Sequence, residues 1–198
     1  MRSAHNISEY RERIRRIVQS VAVLPDEQMN EFLNLFQLEV YPKNSIIITP
    51  KTTKNKLYFW VSGLVRIYYE AEGKEITSDI KEENSFFLNG YYLYTGLPNF
   101  DYHVTMSPTV VLSADYDALE ALSDRSHEIE HMGRKLVELH YANFLISNYN
   151  QLFLSAEERF DVFQRERASL LNKIPLKYIA SYLGITPETL SRMRSKKT

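Results

Sequence analysis

The stretch "YIASYLGITPETLSRMRSKKT" runs from Tyr178 to Thr198, and its last seven residues hold four cations and no acid. The chain as a whole has 198 residues and a formal net charge of -1. From Leu176 onward Lys177, Arg192, Arg194, Lys196 and Lys197 face only Glu188, so this end carries +4 and the preceding 175 residues carry -5. Charge divided in this way marks a nucleic-acid-binding end on a near-neutral body. The spacing within the stretch is more specific than its charge. Pro175 opens a short helix with Ile179, Ala180 and Leu183 inward, Gly184 and Ile185 follow, and Thr186-Pro187 supplies an N-cap and a first helical residue for a second helix. A helix-turn-helix needs a small residue where its helices cross and a glycine where the turn takes positive φ; Ala180 and Gly184 occupy those places. Ile179, Leu183, Ile185, Leu190 and Met193 then stand at the spacings that bury the apolar side of the crossing.

On the second helix Glu188 and Arg192 are four residues apart and share a face turned away from Leu190 and Met193. Arginine reads guanine bidentately and glutamate accepts from the cytosine amino group, so these two are the candidate base-reading residues. Thr189 is a third, through a thymine methyl or a phosphate. Lys177, Thr186, Arg194, Lys196 and Lys197 are candidate phosphate contacts, which position a protein on DNA without specifying sequence. The competing reading of Glu188 and Arg192 is an ordinary surface ion pair.

Upstream, Ile129, Met132, Leu136, Leu139, Asn143, Ile146, Asn150 and Phe153 alternate at intervals of three and four, an apolar heptad seam with asparagine at two equivalent positions. The spacing predicts a parallel homodimer through this helix, the alternative being a long helix packed on its own domain. Ser155-Ala156-Glu157-Glu158 reads as a capping box that restarts a helix after a break. Before residue 124 the texture is that of strands: "SIIIT", "KLYFWVS", "LVRIYYE", "KEITSDI" and "TVVLSAD" are short, aromatic and β-branched, with tight hairpins expected at Ser62-Gly63 and Ala71-Glu72-Gly73. Two amphipathic helices lead in, over 8–21 and from Pro25 onward. The expected organisation is a strand-rich domain with lead-in helices over 1–123, a dimerisation helix over 124–154 and a helix-turn-helix domain over 155–198.

Several chemistries are excluded or disfavoured. The chain has no cysteine, which removes disulfides, thiolate nucleophiles, cysteine zinc sites and cysteine-held iron–sulfur clusters. No apolar run reaches signal-peptide or membrane-span length, so a cytoplasmic protein is expected. No two of the six glycines are closer than Gly90 and Gly96, which rules out G-x-G-x-x-G and P-loop fingerprints. His127-Glu128-Ile129-Glu130-His131 matches H-E-x-x-H, but the seam needs Ile129 and both histidines then face outward without a third ligand. We expect no catalytic residue, no metal and no cofactor.

The motifs together resemble the Crp/Fnr family of bacterial transcription regulators. "LYFWVSGLVRIYYEAEGKEIT" is similar to the hairpins of that family's cyclic-nucleotide-binding β-roll, the heptad helix to its dimerisation helix and "IASYLGITPETLSR" to its DNA-binding motif. The resemblance implies an α+β fold with an antiparallel, jelly-roll-like β-roll, a long dimerisation helix and a C-terminal helix-turn-helix lacking most of a wing. It implies double-stranded DNA, a second copy of the chain and RNA polymerase as partners, and carries the family's base-contacting pair onto Glu188 and Arg192. Pro187 stands where many members place another base-contacting arginine. The effector cassette departs further. In members that bind cyclic nucleotides a Gly-Glu pair holds the ribose and an Arg-Ser pair the cyclic phosphate; here Leu88 and Asn89 replace the first and Phe100-Asp101 lies near the second. From Glu82 to Asp124 there is no lysine or arginine at all. An anion there would be unneutralised, so a response to cyclic AMP is not expected. Leu88, Asn89, Phe100, Asp101 and Tyr102 mark the expected effector pocket, whose cluster of aromatic residues either lines a site for an uncharged ligand or packs it shut. The rival to a DNA-binding regulator is a β-roll ligand-binding or interaction module with a degenerate DNA-binding tail.

Overall fold

The residues Tyr58, Phe59, Trp60 and Val61 are all buried, although a strand with one wet face would alternate. The computed structural model, which describes residues 6–88 and 90–195, explains this by covering the strand on both sides. In chain order the elements are α1 (Ile7–Val21), α2 (Asp26–Asn34), β1 (Gln37–Tyr41), β2 (Ile46–Ile48), β3 (Lys56–Ser62), β4 (Val65–Ala71), β5 (Lys74–Lys81) and β6 (Ser85–Leu88). There follow α3 (Gly90–Thr95), β7 (Asp101–Thr105), β8 (Thr109–Asp115), α4 (Tyr116–Ser123), α5 (His127–Phe153), α6 (Ala156–Arg167), a 3₁₀ turn (Ala168–Asn172), α7 (Leu176–Leu183) and α8 (Pro187–Ser195). Among the described residues eight antiparallel strands form two four-stranded sheets, ordered β1-β8-β3-β6 and β2-β7-β4-β5. This is the antiparallel β-roll with a long helix and C-terminal helices expected from sequence.

Phe59 and Val61 point from β3 into a core built with Ile14 and Val18 of α1, Met29, Phe32 and Leu33 of α2, Leu119 and Leu122 of α4, and Ile129 and Met132 of α5. Tyr58 and Trp60, on the opposite face of the same strand, pack with Ile48, Val65 and Val111 between the sheets. A third core joins Ile80 of β5 to Phe160, Phe163, Leu170, Ile174, Ile179, Ala180, Leu183 and Leu190 of the C-terminal helices. The roll is thus enclosed between the N-terminal helices on one side and the C-terminal helical unit on the other.

One expected hairpin forms and one does not. Ala71 pairs with Lys74 across Glu72 (φ 51) and Gly73 (φ 73), a two-residue turn with both central residues left-handed, as the twist of β4 and β5 favours. At Ser62-Gly63 the chain instead crosses from one sheet to the other, because β3 pairs with β8 and β6 while β4 pairs with β5 and β7. The crossing is stitched to the β7–β8 connection: Leu64 N–H donates to Ser107 Oγ at 3.0 Å and Met106 N–H to the Leu64 carbonyl at 2.7 Å. Gly63 sits there at φ 95, so close to the Pro108 carbonyl and Thr109 that a Cβ would lie 2.6 Å and 2.5 Å from their oxygens.

Candidate nucleic-acid interface

Gly184 closes α7 at φ 67, and the left-handed turn returns its own N–H and that of Ile185 to the Ala180 and Ser181 carbonyls. Ala180 is fully buried at the crossing of α7 and α8, where Leu183 and Leu190 are also buried and Ile185 and Met193 are partly so. The Thr186 hydroxyl accepts from Thr189 N–H at 3.2 Å, which fixes the start of α8. Thr186, a candidate phosphate contact, therefore also serves as the N-cap. A residue that sequence reasoning missed locks the unit: Arg159 of α6 donates from Nε to the Leu183 carbonyl at 3.0 Å and from Nη1 to the Leu154 carbonyl at 2.6 Å. Its signal, one arginine among several charged residues on a helix, could not be told from a solvated face.

With the apolar side of α8 buried, Glu188 and Arg192 are exposed on its outer side and Thr189 lies partly buried between them. Arg192 Nη2 donates to Thr189 Oγ1 at 3.4 Å. Glu188, at the helix start, accepts from its own backbone N–H and from Thr186, and with the nearby Arg192 charge these hold its carboxyl below the usual carboxylate range. An ionised carboxylate accepts only, which is the state a cytosine amino group requires. Lys177 is exposed with its ammonium 4.9 Å from the Tyr178 ring centroid, and Arg194 is half-buried near the end of α8. Lys196 and Lys197 lie outside the described residues.

The seam residues divide into two groups. Ile129 and Met132 belong to the chain's own core and Leu136 packs against it. Beyond that point α5 is uncovered: Leu139, Ile146 and Phe153 of the seam are exposed, as are Val137, Tyr141, Phe144, Leu145, Tyr149 and Leu152. Asn143 is exposed and Asn150 half-exposed. An apolar surface of this extent on a helix marks an interaction face.

Leu88, Phe100 and Asp101 line a cavity of about 280 Å³ together with Tyr69, Phe87, Tyr91 and Asn99. Asp101 accepts from Asn99 Nδ2 and lies 3.1 Å from His103 Nε2, a fully buried ring tilted against Phe87 at 4.2 Å. Tyr102, expected in this pocket, does not line it: alternation along β7 turns it to the other face of the sheet, where it stacks on Tyr68 at 5.1 Å. Asn89 lies outside the described residues. Among the described residues no lysine or arginine lines the cavity.

His127 and His131 lie at the solvent-facing start of α5 with ring centroids 6.4 Å apart, and Glu128 is taken up by Gln28 and Ser126. Among the described residues no group of three or more histidine, aspartate or glutamate side chains is placed to hold a metal ion. No helix among them is long and apolar enough to cross a membrane.

Residues 38–126 match the cyclic nucleotide-binding domain family. The whole fold is similar to that of FixK2 from Bradyrhizobium japonicum, at 20% identity and a TM-score of 0.68 over 81% of this chain and 83% of that one. It is also similar to a transcriptional regulator of the Crp/Fnr family from Eubacterium rectale, at 18% identity and a TM-score of 0.63 over 86% and 82% of the two chains. A third relative is CLP of Xanthomonas campestris, described as a global regulator responsive to c-di-GMP, at 17% identity and a TM-score of 0.62 over 87% and 91%. No curated protein sequence matches the chain.

Proposed function

We propose, from a chain that shares the fold of the Crp/Fnr regulators and carries a cyclic nucleotide-binding domain over residues 38–126, that it is a sequence-specific DNA-binding transcription regulator acting as a homodimer. The observation that carries this reading is the outward placement of Glu188 and Arg192 on a helix whose other side is locked by Ala180, Gly184 and Leu190. Two such helices, one from each subunit, enter successive major grooves about 34–36 Å apart and read a near-palindromic site. Glu188 and Arg192 contact base edges with Thr189 beside them. Lys177, Thr186, Arg194, Lys196 and Lys197 contribute phosphate contacts.

The homodimer reading rests on the uncovered apolar face of α5 between Val137 and Phe153, with Asn143 and Asn150 setting register. RNA polymerase is the partner that the family resemblance adds. Cyclic AMP and c-di-GMP are both anionic, and a cavity walled by Asp101 with no lysine or arginine among the described residues favours neither. The protein is a binding protein, not an enzyme, in this account. Selection from a random duplex library at physiological salt tests it: enrichment of one palindromic site supports the regulator. Weak, sequence-blind and steeply salt-dependent binding would support instead a β-roll module with a degenerate tail.

A further inference from the structure

The strand β4 presents a different surface on each of its faces. Tyr69 and its partner Asp101 on β7 point to the cavity, whereas Arg66, Tyr68 and Tyr102 point to the C-terminal helices. Arg66 is 5% exposed, a depth at which an arginine requires full pairing. It has that pairing. Its guanidinium lies 4.4 Å from the Tyr68 ring centroid and 3.9 Å from that of Tyr178 in α7, while Nε donates to Thr77 Oγ1 at 2.9 Å and Nη1 pairs with Glu75. Tyr68 in turn stacks on Tyr102 at an interplanar angle of 11°. A continuous column of flat groups, Tyr102, Tyr68, Arg66 and Tyr178, therefore crosses from the strand that walls the cavity to the first helix of the helix-turn-helix.

We infer that Arg66 is a positioning residue that seats the helix-turn-helix on the β-roll, and that this column makes the seat responsive to the state of the cavity within the same subunit. The flat, delocalised guanidinium suits this task, because it stacks on both faces while its edge donates to Thr77 and Glu75; an ammonium can donate to both but has no flat face to stack between two rings. Anything that shifts β7 against β4 at Asp101 and Tyr69 also shifts Tyr102 and Tyr68, since a strand's two faces share one backbone. The route is direct and does not require the α5 pair. Only its consequence for DNA rests on the function proposed above.

Hydrogen exchange on the intact chain tests the inference without DNA. In Arg66→Ala, amides of 74–81 and 176–183 should exchange about tenfold faster, while β1, β3 and β8 keep wild-type rates. Arg66→Lys should not restore protection, because charge alone does not rebuild the stack. Tyr102→Ala should speed exchange in 176–183 in the same direction, although it lies on the cavity strand. Wild-type exchange of 176–183 in Tyr102→Ala, or full rescue by Arg66→Lys, would overturn the inference. If Arg66→Ala loses protection in every strand, Tyr178→Leu decides: selective opening of 74–81 supports the seat, and unchanged rates contradict it. Because no duplex is present, failure here is distinct from failure to select a DNA site.

Discussion

Thr77, on the outermost strand of the second sheet, donates its backbone N–H to Ser181 Oγ of the helix-turn-helix at 2.9 Å. An edge strand normally offers such groups to water or to another chain, and here a helix covers it. The same contact zone holds Asp79 between Lys81 at 2.7 Å and Arg167 at 3.2 Å, and brings Arg167 Nη1 within 3.2 Å of the Ile80 carbonyl. The C-terminal helical unit is therefore held by a polar seat as well as by the apolar core around Ile80.

That seat predicts an acid-sensitive contact. Burial alone would raise the Asp79 carboxyl, but Lys81 and Arg167 oppose it and hold the group below its ordinary value. A depressed carboxylate stabilises the fold above its unfolded pKa, near 4, and loses that contribution as pH falls through its lower folded value. Asp79→Asn should melt below the wild type at pH 7 with the gap unchanged down to about pH 5, and the gap should close only in stronger acid. A gap that stays constant at all pH values would contradict the ion-pair account.

The exposed and buried parts of the α5 seam should respond differently to the same charge. Ile146 is 60% exposed and Ile129 is 1% exposed. Ile146→Glu should sediment as a monomer with an unchanged far-ultraviolet spectrum. Ile129→Glu should lose on the order of 3 kcal/mol or more of stability, because it places a charge in the chain's own core.

Titration calorimetry with cyclic AMP should give no saturable heat at micromolar concentrations, since among the described residues the cavity at Asp101 offers no cation to the phosphate. Saturable binding would mean that a cation reaches the site from elsewhere in the assembly.

Gly63→Ala should be the most damaging glycine substitution among those at positive φ. A Cβ there meets two oxygens at about covalent-clash distance, whereas at Gly96 nothing lies within 4 Å. Gly63→Ala should cost about 2–4 kcal/mol and Gly96→Ala about 1 kcal/mol, read as the order of their melting temperatures.

The parts legible in the sequence were those whose signal is local. Gly184, Ala180 and Thr186-Pro187 identify the turn and cap of the helix-turn-helix because a glycine's φ and a cap's oxygen act within a few residues, and the Ser155 capping box forms as its spacing implies. The Ser62-Gly63 crossing reads as a hairpin in the sequence because a glycine between two strands looks the same whichever sheet the second strand joins; Ser107 and Thr109 decide that from more than forty residues away. Heptad spacing located the α5 seam but not the point where the chain's own core ends, between Leu136 and Leu139. Arg66 and Arg159 carried no readable signal, since their partners, Tyr178 and Leu183, are brought to them by tertiary packing.

The most direct test of the central claim is duplex selection run side by side on the wild type and Arg192→Ala at physiological salt. The account predicts that the wild type enriches one palindrome and that Arg192→Ala keeps the same half-site spacing while losing preference at a single symmetric pair of positions, by about 1–3 kcal/mol. Identical enrichment by both proteins, or none by the wild type, would contradict the assignment of Arg192 as a base reader.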